Sequence, residues 1–298
     1  MGRIAELRSW LFGFLLRPIE AQAVRGMHGI PGMNMVYRGL VRYLVPGGIG
    51  TVKYDGFVLD IYRRGYPKML IGDGRKYTPA ETLSFKSLIK EGMTVVTVGA
   101  AVGYYTLVAA RLVGPKGKVY AFEPFPEAFG LLTKNVERSG YKNVIMVNEA
   151  VADYVGFTNL YLLDSNPLGN SLSQSRETVN YIEVPTTTLD AYFGNEKIDV
   201  IRSVAEGSDM MIVKGMRQVI KNNPNLVVQI EVDPSSLAGL GHTVREYVDA
   251  LLENFNIRVI KHRSDTIEDY RDIRQIIDSL TYKYGGTQLV CTRKKAKL

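Results

Sequence analysis

The sequence predicts an α/β fold: a doubly wound, mostly parallel sheet of seven strands with helices on both faces. Three observations favour it. From Thr78 onward, runs rich in Val and Ile alternate with helix-like segments, as in parallel sheets covered on both faces. The first run leads into a turn with two glycines and then a helix. The composition, 46% hydrophobic and 22% charged, is that of a globular chain with a substantial core.

Residues 1–77 are predicted to form an extension that precedes the main domain. An N-terminal amphipathic helix is expected, with one apolar face made of Ile4, Leu7, Leu11 and Leu15. This helix either packs on the domain or lies in a membrane interface. Farther along, alternating residues on both sides of Asp55-Gly56 predict a hairpin with a two-residue turn.

Residues 78–298 are predicted to form the main domain. Its first helix covers Thr78–Gly92, with Thr78 as N-cap, Pro79 in the first turn and Gly92 at the end. Strands are then expected at Met93–Val98, Lys118–Pro124, Asn143–Val151, Ile198–Val204, Asn225–Val232, Asn256–Lys261 and Thr287–Arg293. Helices are expected at Tyr104–Val113, Pro126–Gly140, Met210–Ile220 and Thr243–Phe255, and a β-rich insert at Val151–Pro185.

Composition excludes several classes of protein. The single cysteine, Cys291, excludes an intrachain disulfide framework and cysteine-cluster zinc sites, and it fits a reducing, cytoplasmic setting. Three scattered histidines do not suggest a metal site. The net charge of +7 includes a basic C-terminal tail but no basic stripe interleaved with aromatic residues, so we expect no nucleic-acid partner. No apolar run is long enough to span a bilayer.

The strand ends of the main domain carry the candidate site. Gly99 and Gly103 follow the first strand, where a tight turn and a helix N-terminus cradle nucleotide-like ligands. Glu123 closes the second strand, where an acidic group can accept hydrogen bonds from both hydroxyls of a ribose. We expect it to be a solvated carboxylate at the rim of the sheet. Glu149 closes the third strand and either accepts from an adenine amino group or is a solvated strand-end glutamate.

Four carboxylates follow the fourth and fifth strands, namely Glu206, Asp209, Glu231 and Asp233. The predicted general base for a hydroxyl proton is Glu206, then Glu231 or Asp233. Two other interpretations stay open. Glu206 and Asp209 lie near a helix N-terminus, whose dipole stabilises carboxylates. All four side chains together could bind a divalent cation, although nothing in their spacing fixes such a site, and no metal is expected.

Four blocks in this order, VTVGAAVGYYTL, VYAFEPFPEAFGLLTKNV, TTTLDAYF and IRSVAEGSDMMIVKGM, resemble the FkbM-type methyltransferases. The resemblance covers roughly Phe85 to Val232. It implies a class I, Rossmann-like methyltransferase fold, S-adenosylmethionine as cofactor, and transfer of a methyl group to a hydroxyl of a sugar, glycan or similar small molecule. It also implies that Gly99 and Gly103 line the methionine part, Glu123 takes the ribose, and Glu149 with Ala150 flanks the adenine.

The chain departs from the family pattern at three cofactor positions. Thr97 replaces an aspartate, Ala101 an asparagine, and Val204 the aspartate of the fourth block. A methyltransferase-fold protein that serves as a binding or scaffolding subunit, with weak or no cofactor binding, is therefore the alternative to an enzyme. A nicotinamide-dependent oxidoreductase is a more distant alternative, because the Gly-x-Gly-x-x-Gly loop typical of that class is missing.

Overall fold

A computed structural model describes residues 48–62, 79–163, 169–174, 178–261, 266–270, 277 and 287–294. The chain divides into two compact units, Met1–Tyr77 and Thr78–Leu298. The predicted N-terminal amphipathic helix lies outside the described residues. Within the described residues, no helix combines the length and the hydropathy needed to cross a bilayer.

The described part of the first unit is the predicted hairpin. Strand β1 (Ile49–Tyr54) pairs antiparallel with β2 (Phe57–Tyr62). The connecting residues Asp55 and Gly56 have φ angles of 50° and 82°. Two successive positive φ angles characterise the type I′ turn, whose twist matches that of the paired strands. The hairpin prediction is confirmed.

The second unit alternates strands and helices as predicted. Its elements are α1 (Pro79–Leu88), β3 (Thr94–Val98), α2 (Tyr104–Val113), β4 (Lys118–Phe122), α3 (Pro126–Ser139), β5 (Val144–Val147), β6 (Ala150–Val151), β7 (Gly156–Leu163), β8 (Thr178–Thr187), α4 (Leu189–Phe193), β9 (Val200–Ser203), α5 (Asp209–Lys214), α6 (Arg217–Asn222), β10 (Val227–Val232), α7 (Pro234–Gly239), α8 (Val244–Leu252), β11 (Phe255–Lys261), β12 (Thr266–Tyr270) and β13 (Thr287–Arg293).

The main sheet has the order β12-β11-β13-β10-β9-β3-β4-β5. Strands β5, β4, β3, β9 and β10 pair in parallel, and β13 runs antiparallel to both β10 and β11. The predicted doubly wound, mostly parallel α/β fold is confirmed. The described sheet differs from the prediction by an eighth strand, β12, which pairs antiparallel with β11 at one edge.

Burial on both faces explains the near-continuous apolar strands. Val95 and Val96 are neighbours on β3 that point to opposite faces, and both have no exposed surface. One face packs against α4, α5, α6 and α8, in a cluster that includes Phe122, Ile201 and Leu251. Each such side chain stabilises the fold by about 1.5–3 kcal/mol on burial.

Two predicted elements are divided in the structure. The expected helix Met210–Ile220 forms α5 and α6, which are separated at Gly215, where an added Cβ would lie 2.2 Å from the carbonyl oxygen of Ala152. The expected strand Asn143–Val151 forms β5 in the main sheet and β6 in a separate sheet of order β6-β8-β7. Between β5 and β6, the amide of Asn148 donates to the carbonyl oxygen of Glu123 over 2.7 Å.

Candidate functional site

A cleft of about 630 Å³, part of it open to solvent, lies where β3, β4 and β9 end. At this position the sheet order reverses, since the chain continues from β3 to β4 on one side and later places β9 on the other. Such switch points are the usual ligand sites of doubly wound sheets. The lining residues of the cleft are Val98, Gly99, Ala101, Phe122, Glu123, Pro124, Ala128, Glu149, Ala150, Val151, Leu160, Asn170, Ser171, Leu172, Val204, Ala205, Glu206 and Ser208.

Gly99 lines the cleft and allows two turns to approach each other closely. Its φ is +70°, and an added Cβ would lie 2.0 Å from the carbonyl oxygen of Val204. Gly103 is not among the lining residues. It precedes α2, and an added Cβ would lie 2.7 Å from Cδ1 of Leu132. Both glycines therefore pack closely against other residues of the protein.

Ala101 lies between these glycines in a left-handed conformation, with a φ of 50°. This region is costly for a residue with a Cβ, and Asn is among the residues that tolerate it best. The backbone N–H of Ala101 donates to Oε2 of Glu123 over 2.7 Å. Ala101 therefore joins the glycine turn after β3 to the acidic residue after β4.

Glu123 is buried, which corrects the expectation of a solvated rim carboxylate. Its side chain lines the cleft, but the residue is only 7% exposed. Oε1 accepts from the N–H of Phe125 over 2.9 Å, while Oε2 accepts from Ala101. Burial raises the pKa of the Glu123 carboxyl to about 7, against the lowering effect of these two hydrogen bonds. Each carboxylate oxygen has a further acceptor position, so the group can still accept from two ribose hydroxyls.

Glu149 and Ala150, which the resemblance assigns to the adenine, line the same cleft as Glu123. Glu149 lies between β5 and β6, and Ala150 begins β6. The two residues lie where the chain leaves the main sheet for the three-stranded sheet. The structure thus brings Gly99, Ala101, Glu123, Glu149 and Ala150 together in one cleft.

Thr97 is placed outside the cleft lining. Its hydroxyl shares a hydrogen bond with that of Thr106 (3.0 Å) and donates to the carbonyl oxygen of Tyr120 (3.3 Å). Thr97 is 2% exposed, and its contacts lie between β3, β4 and α2. Of the three departures from the family pattern, only Ala101 and Val204 therefore put apolar side chains in the cleft.

Glu206 is the one predicted base that lines the cleft. It follows β9 with a φ of 47°, a strained conformation of the kind that concentrates at functional sites. Its carbonyl oxygen accepts from Oγ of Ser171 over 2.7 Å. Burial, then the negative charges of Asp233 and Asp209, raise the pKa of the Glu206 carboxyl to about 7.

Of the other three carboxylates, Asp209 holds the turn that carries Glu206. Asp209 is 2% exposed and accepts from Oγ of Ser203 over 2.5 Å, and burial raises its pKa to about 6 against its hydrogen bonds. Asp233 caps α7 by accepting from the N–H of Ser235 over 2.9 Å. Burial and neighbouring carboxylates, Glu206 first, raise the pKa of Glu231 well above its ordinary value. Glu231 and Asp233 are not among the cleft residues.

No group of three or more His, Cys, Asp or Glu side chains in the described ranges is arranged to hold a metal ion. Two of the carboxylates in this region accept hydrogen bonds from the protein. Asp209 accepts from a serine hydroxyl, and Asp233 accepts from the first turn of a helix. Asp209 lies in the first turn of α5, the position near a helix N-terminus that the dipole interpretation gives it.

Sequence reasoning missed the contribution of the insert to the cleft. Asn170, Ser171 and Leu172, which lie between β7 and β8, form part of its lining, and Ser208 adds a hydroxyl beside Glu206. The run NPLGNSLSQ has the composition of an ordinary loop and gave no signal of this placement. The insert also carries Tyr154, Tyr161 and Tyr181, aromatic residues of a kind that can stack on a sugar ring, but they are not among the cleft residues.

Comparison with known proteins defines the class. The sequence pattern of the FkbM methyltransferase domain matches residues 97–284, more than half of the chain. The chain therefore belongs to the FkbM methyltransferase family, and its cofactor is S-adenosylmethionine.

Similar curated proteins share shorter stretches. A protein-L-isoaspartate O-methyltransferase of Methanococcoides burtonii is 46% identical over 61 residues, which are 20% of this chain and 30% of the relative. A probable cobalt-precorrin-6B C(15)-methyltransferase of Sulfolobus acidocaldarius is 26% identical over 159 residues, 48% of this chain and 82% of the relative. A putative rRNA methylase structure from Clostridium thermocellum gives a TM-score of 0.47 at 11% identity, covering 75% of this chain and 98% of that one.

The residues of the cleft fit this cofactor. Glu123 has acceptor positions left for ribose hydroxyls. Two polar atoms of lining residues, Nδ2 of Asn170 and Oγ of Ser208, are buried without a hydrogen-bond partner among the described residues. Buried polar atoms are nearly always paired, so a ligand or water is expected to satisfy them.

Proposed function

We propose that this chain transfers a methyl group from S-adenosylmethionine to a hydroxyl of a sugar, glycan or similar small molecule, with Glu206 as general base. The observation that carries the proposal is the position of Glu206. It is a cleft carboxyl whose pKa of about 7 leaves it partly ionised, and so able to accept a proton, at neutral pH.

The proposed chemistry needs little from the protein beyond positioning and a base. When bound, the cofactor supplies an electrophilic methyl group on a sulfonium. The Glu206 carboxylate would accept the proton of the acceptor hydroxyl as the hydroxyl oxygen bonds to the methyl carbon and the carbon–sulfur bond breaks, with S-adenosylhomocysteine as the leaving group. Asp209 holds the turn that carries Glu206, because it accepts hydrogen bonds from Ser203 and, at 3.4 Å, from the N–H of Ala205. A fixed turn keeps base and acceptor in line.

Replacing the base tests this assignment. We expect Glu206→Gln to lower kcat for methyl transfer by about 10²–10⁴-fold, the usual contribution of general base catalysis. Binding of S-adenosylhomocysteine should change by less than about twofold. The assay is mass-spectrometric detection of methylated products with a panel of hydroxylated acceptors. The matched control is Glu183→Gln on the exposed surface of β8, which should leave turnover unchanged. If Glu206→Gln keeps full turnover, Glu206 is not the base.

The second candidate is a cofactor-binding subunit that does not turn over. It is favoured by Ala101 and Val204, which line the cleft where the family pattern has an amide and a carboxylate. Each lost hydrogen bond to a charged group weakens binding by about 1.5–3 kcal/mol. The same assay decides between the candidates. If the chain binds S-adenosylhomocysteine but methylates no acceptor in the panel, the result supports the second candidate, a cofactor-binding subunit.

A further inference from the structure

The segment that contains Asn170 is held firmly against the cleft. Ser171 forms a β-bridge with Tyr161 of β7, through hydrogen bonds of 2.8 and 3.1 Å between their backbones. Its side chain donates to the carbonyl oxygen of Glu206, and it also accepts from the N–H of Ser173 over 3.0 Å. Residues 169–174, which belong to the insert, are thus hydrogen-bonded both to β7 and to the turn after β9.

Hydrogen bonding fixes the orientation of the Asn170 amide. The backbone N–H of Leu163 donates to Oδ1 of Asn170 over 3.0 Å. Because only the amide oxygen can accept this bond, Nδ2 must point to the other side. Nδ2 is buried and has no partner among the described residues, although Asn170 lines the cleft. A buried donor of this kind costs free energy until an acceptor reaches it.

Apolar residues that flank Asn170 belong to a cluster beside Glu123 and Glu149, which the family resemblance assigns to ribose and adenine. The neighbouring Leu160, Leu162 and Leu172 pack in one cluster with Ala150 and Phe125. Ala150 follows Glu149, and Phe125 donates its N–H to Glu123. The walls nearest Asn170 are therefore those that would surround ribose and base.

We infer that Nδ2 of Asn170 donates a hydrogen bond to a ring nitrogen of the adenine in the bound cofactor. Adenine presents a donor, its amino group, next to an acceptor ring nitrogen. Glu149 offers only acceptors, so it can take the amino group but not the ring nitrogen. Asn170 supplies the missing donor, and the insert thereby makes the site specific for the base.

The experiment replaces the donor and keeps the rest of the side chain. In Asn170→Asp, one carboxylate oxygen still accepts from Leu163, so the fold is retained, but the donor is lost. Isothermal titration should show at least about fivefold weaker binding of S-adenosylhomocysteine. Binding of 5′-methylthioadenosine, which lacks the amino-acid half, should weaken by the same factor. The neutral variant Asn170→Ala should weaken both ligands as well, which separates a lost donor from an added charge.

The matched control is Asn180→Asp. Asn180 is exposed on β8, and its Oδ1 also accepts a backbone N–H, that of Tyr181, over 2.8 Å. This variant should bind both ligands like the unmodified chain. Loss of S-adenosylhomocysteine binding with full 5′-methylthioadenosine binding would overturn the inference, because Asn170 would then contact the amino-acid half. Unchanged binding of both ligands would overturn it too, since water would then satisfy the amide.

Discussion

Two carboxyl groups that line the cleft, and a third beside it, have pKa values above the ordinary range. Glu123 and Glu206 have pKa values raised to about 7, and that of Asp209 is raised to about 6, with burial as the largest cause in each case. A carboxyl with a raised pKa is costly to ionise, and such groups are common at functional sites. Glu123 also supports the fold, because its carboxylate accepts hydrogen bonds from the N–H groups of Ala101 and Phe125.

These shifts predict how stability depends on pH. A folded-state pKa above the ordinary value of about 4 means that the folded chain binds more protons than the unfolded chain between pH 5 and 7. The stabilisation is present at low pH and is lost as pH rises through about 6–7. We expect the Tm to fall by at least about 4 °C from pH 5 to pH 8. Thermal unfolding measured by circular dichroism checks this. Glu206→Gln should make the fall shallower, whereas a Tm that rises over this range would contradict the assignment.

At the scale of elements, the site depends on the turn between β3 and α2. This turn lies so close to the turn after β9 that a Cβ at Gly99 would meet the carbonyl oxygen of Val204. Backbone atoms cannot give way as a flexible side chain can. The glycine is needed where two elements meet, whether or not a cofactor is bound.

Two glycines of the main domain provide a matched test of this view. Gly99→Ala should destabilise the domain by about 3 kcal/mol or more, because it adds a backbone clash at a positive φ. Gly130→Ala lies within α3 with no atom within 4 Å of the added Cβ, and should stabilise it by about 0.5–1 kcal/mol. Urea denaturation followed by circular dichroism measures both. If Gly99→Ala is as stable as the unmodified chain, the two turns are not packed as described.

At the scale of the whole molecule, periodicity predicts seven of the eight strands of the described main sheet and its four longest described helices. The alternation of buried strands with helices reflects burial on both faces, which is a local pattern in the sequence. The breaks at Gly215 and Asn148 were not predicted, because they depend on contacts with Ala152 and Glu123 that are distant in the chain. The predicted strand ends were sufficient to place Gly99, Glu123, Glu149 and Glu206 at one edge of the sheet. Asn170 was not predicted, because no local sequence pattern shows that the insert folds back to the cleft.

The positions of the three departures from the family pattern determine which substitutions could restore polar contacts to the cofactor. Thr97 is buried under α2, so an aspartate there would be an unpaired charge in the core. Ala101 and Val204 line the cleft, and Asn is better suited than Ala to the positive φ at position 101. The double variant Ala101→Asn/Val204→Asp should therefore restore polar groups where a ligand can reach them.

Isothermal titration of S-adenosylhomocysteine into the unmodified chain and this double variant tests the central claim, that the cleft is a methyltransferase cofactor site. We predict a dissociation constant no tighter than about tens of micromolar for the unmodified chain, and at least about tenfold tighter binding for the variant, which requires about 1.4 kcal/mol. Nanomolar binding by the unmodified chain would contradict the role given to Ala101 and Val204. Absence of binding by both proteins would contradict the cofactor site itself.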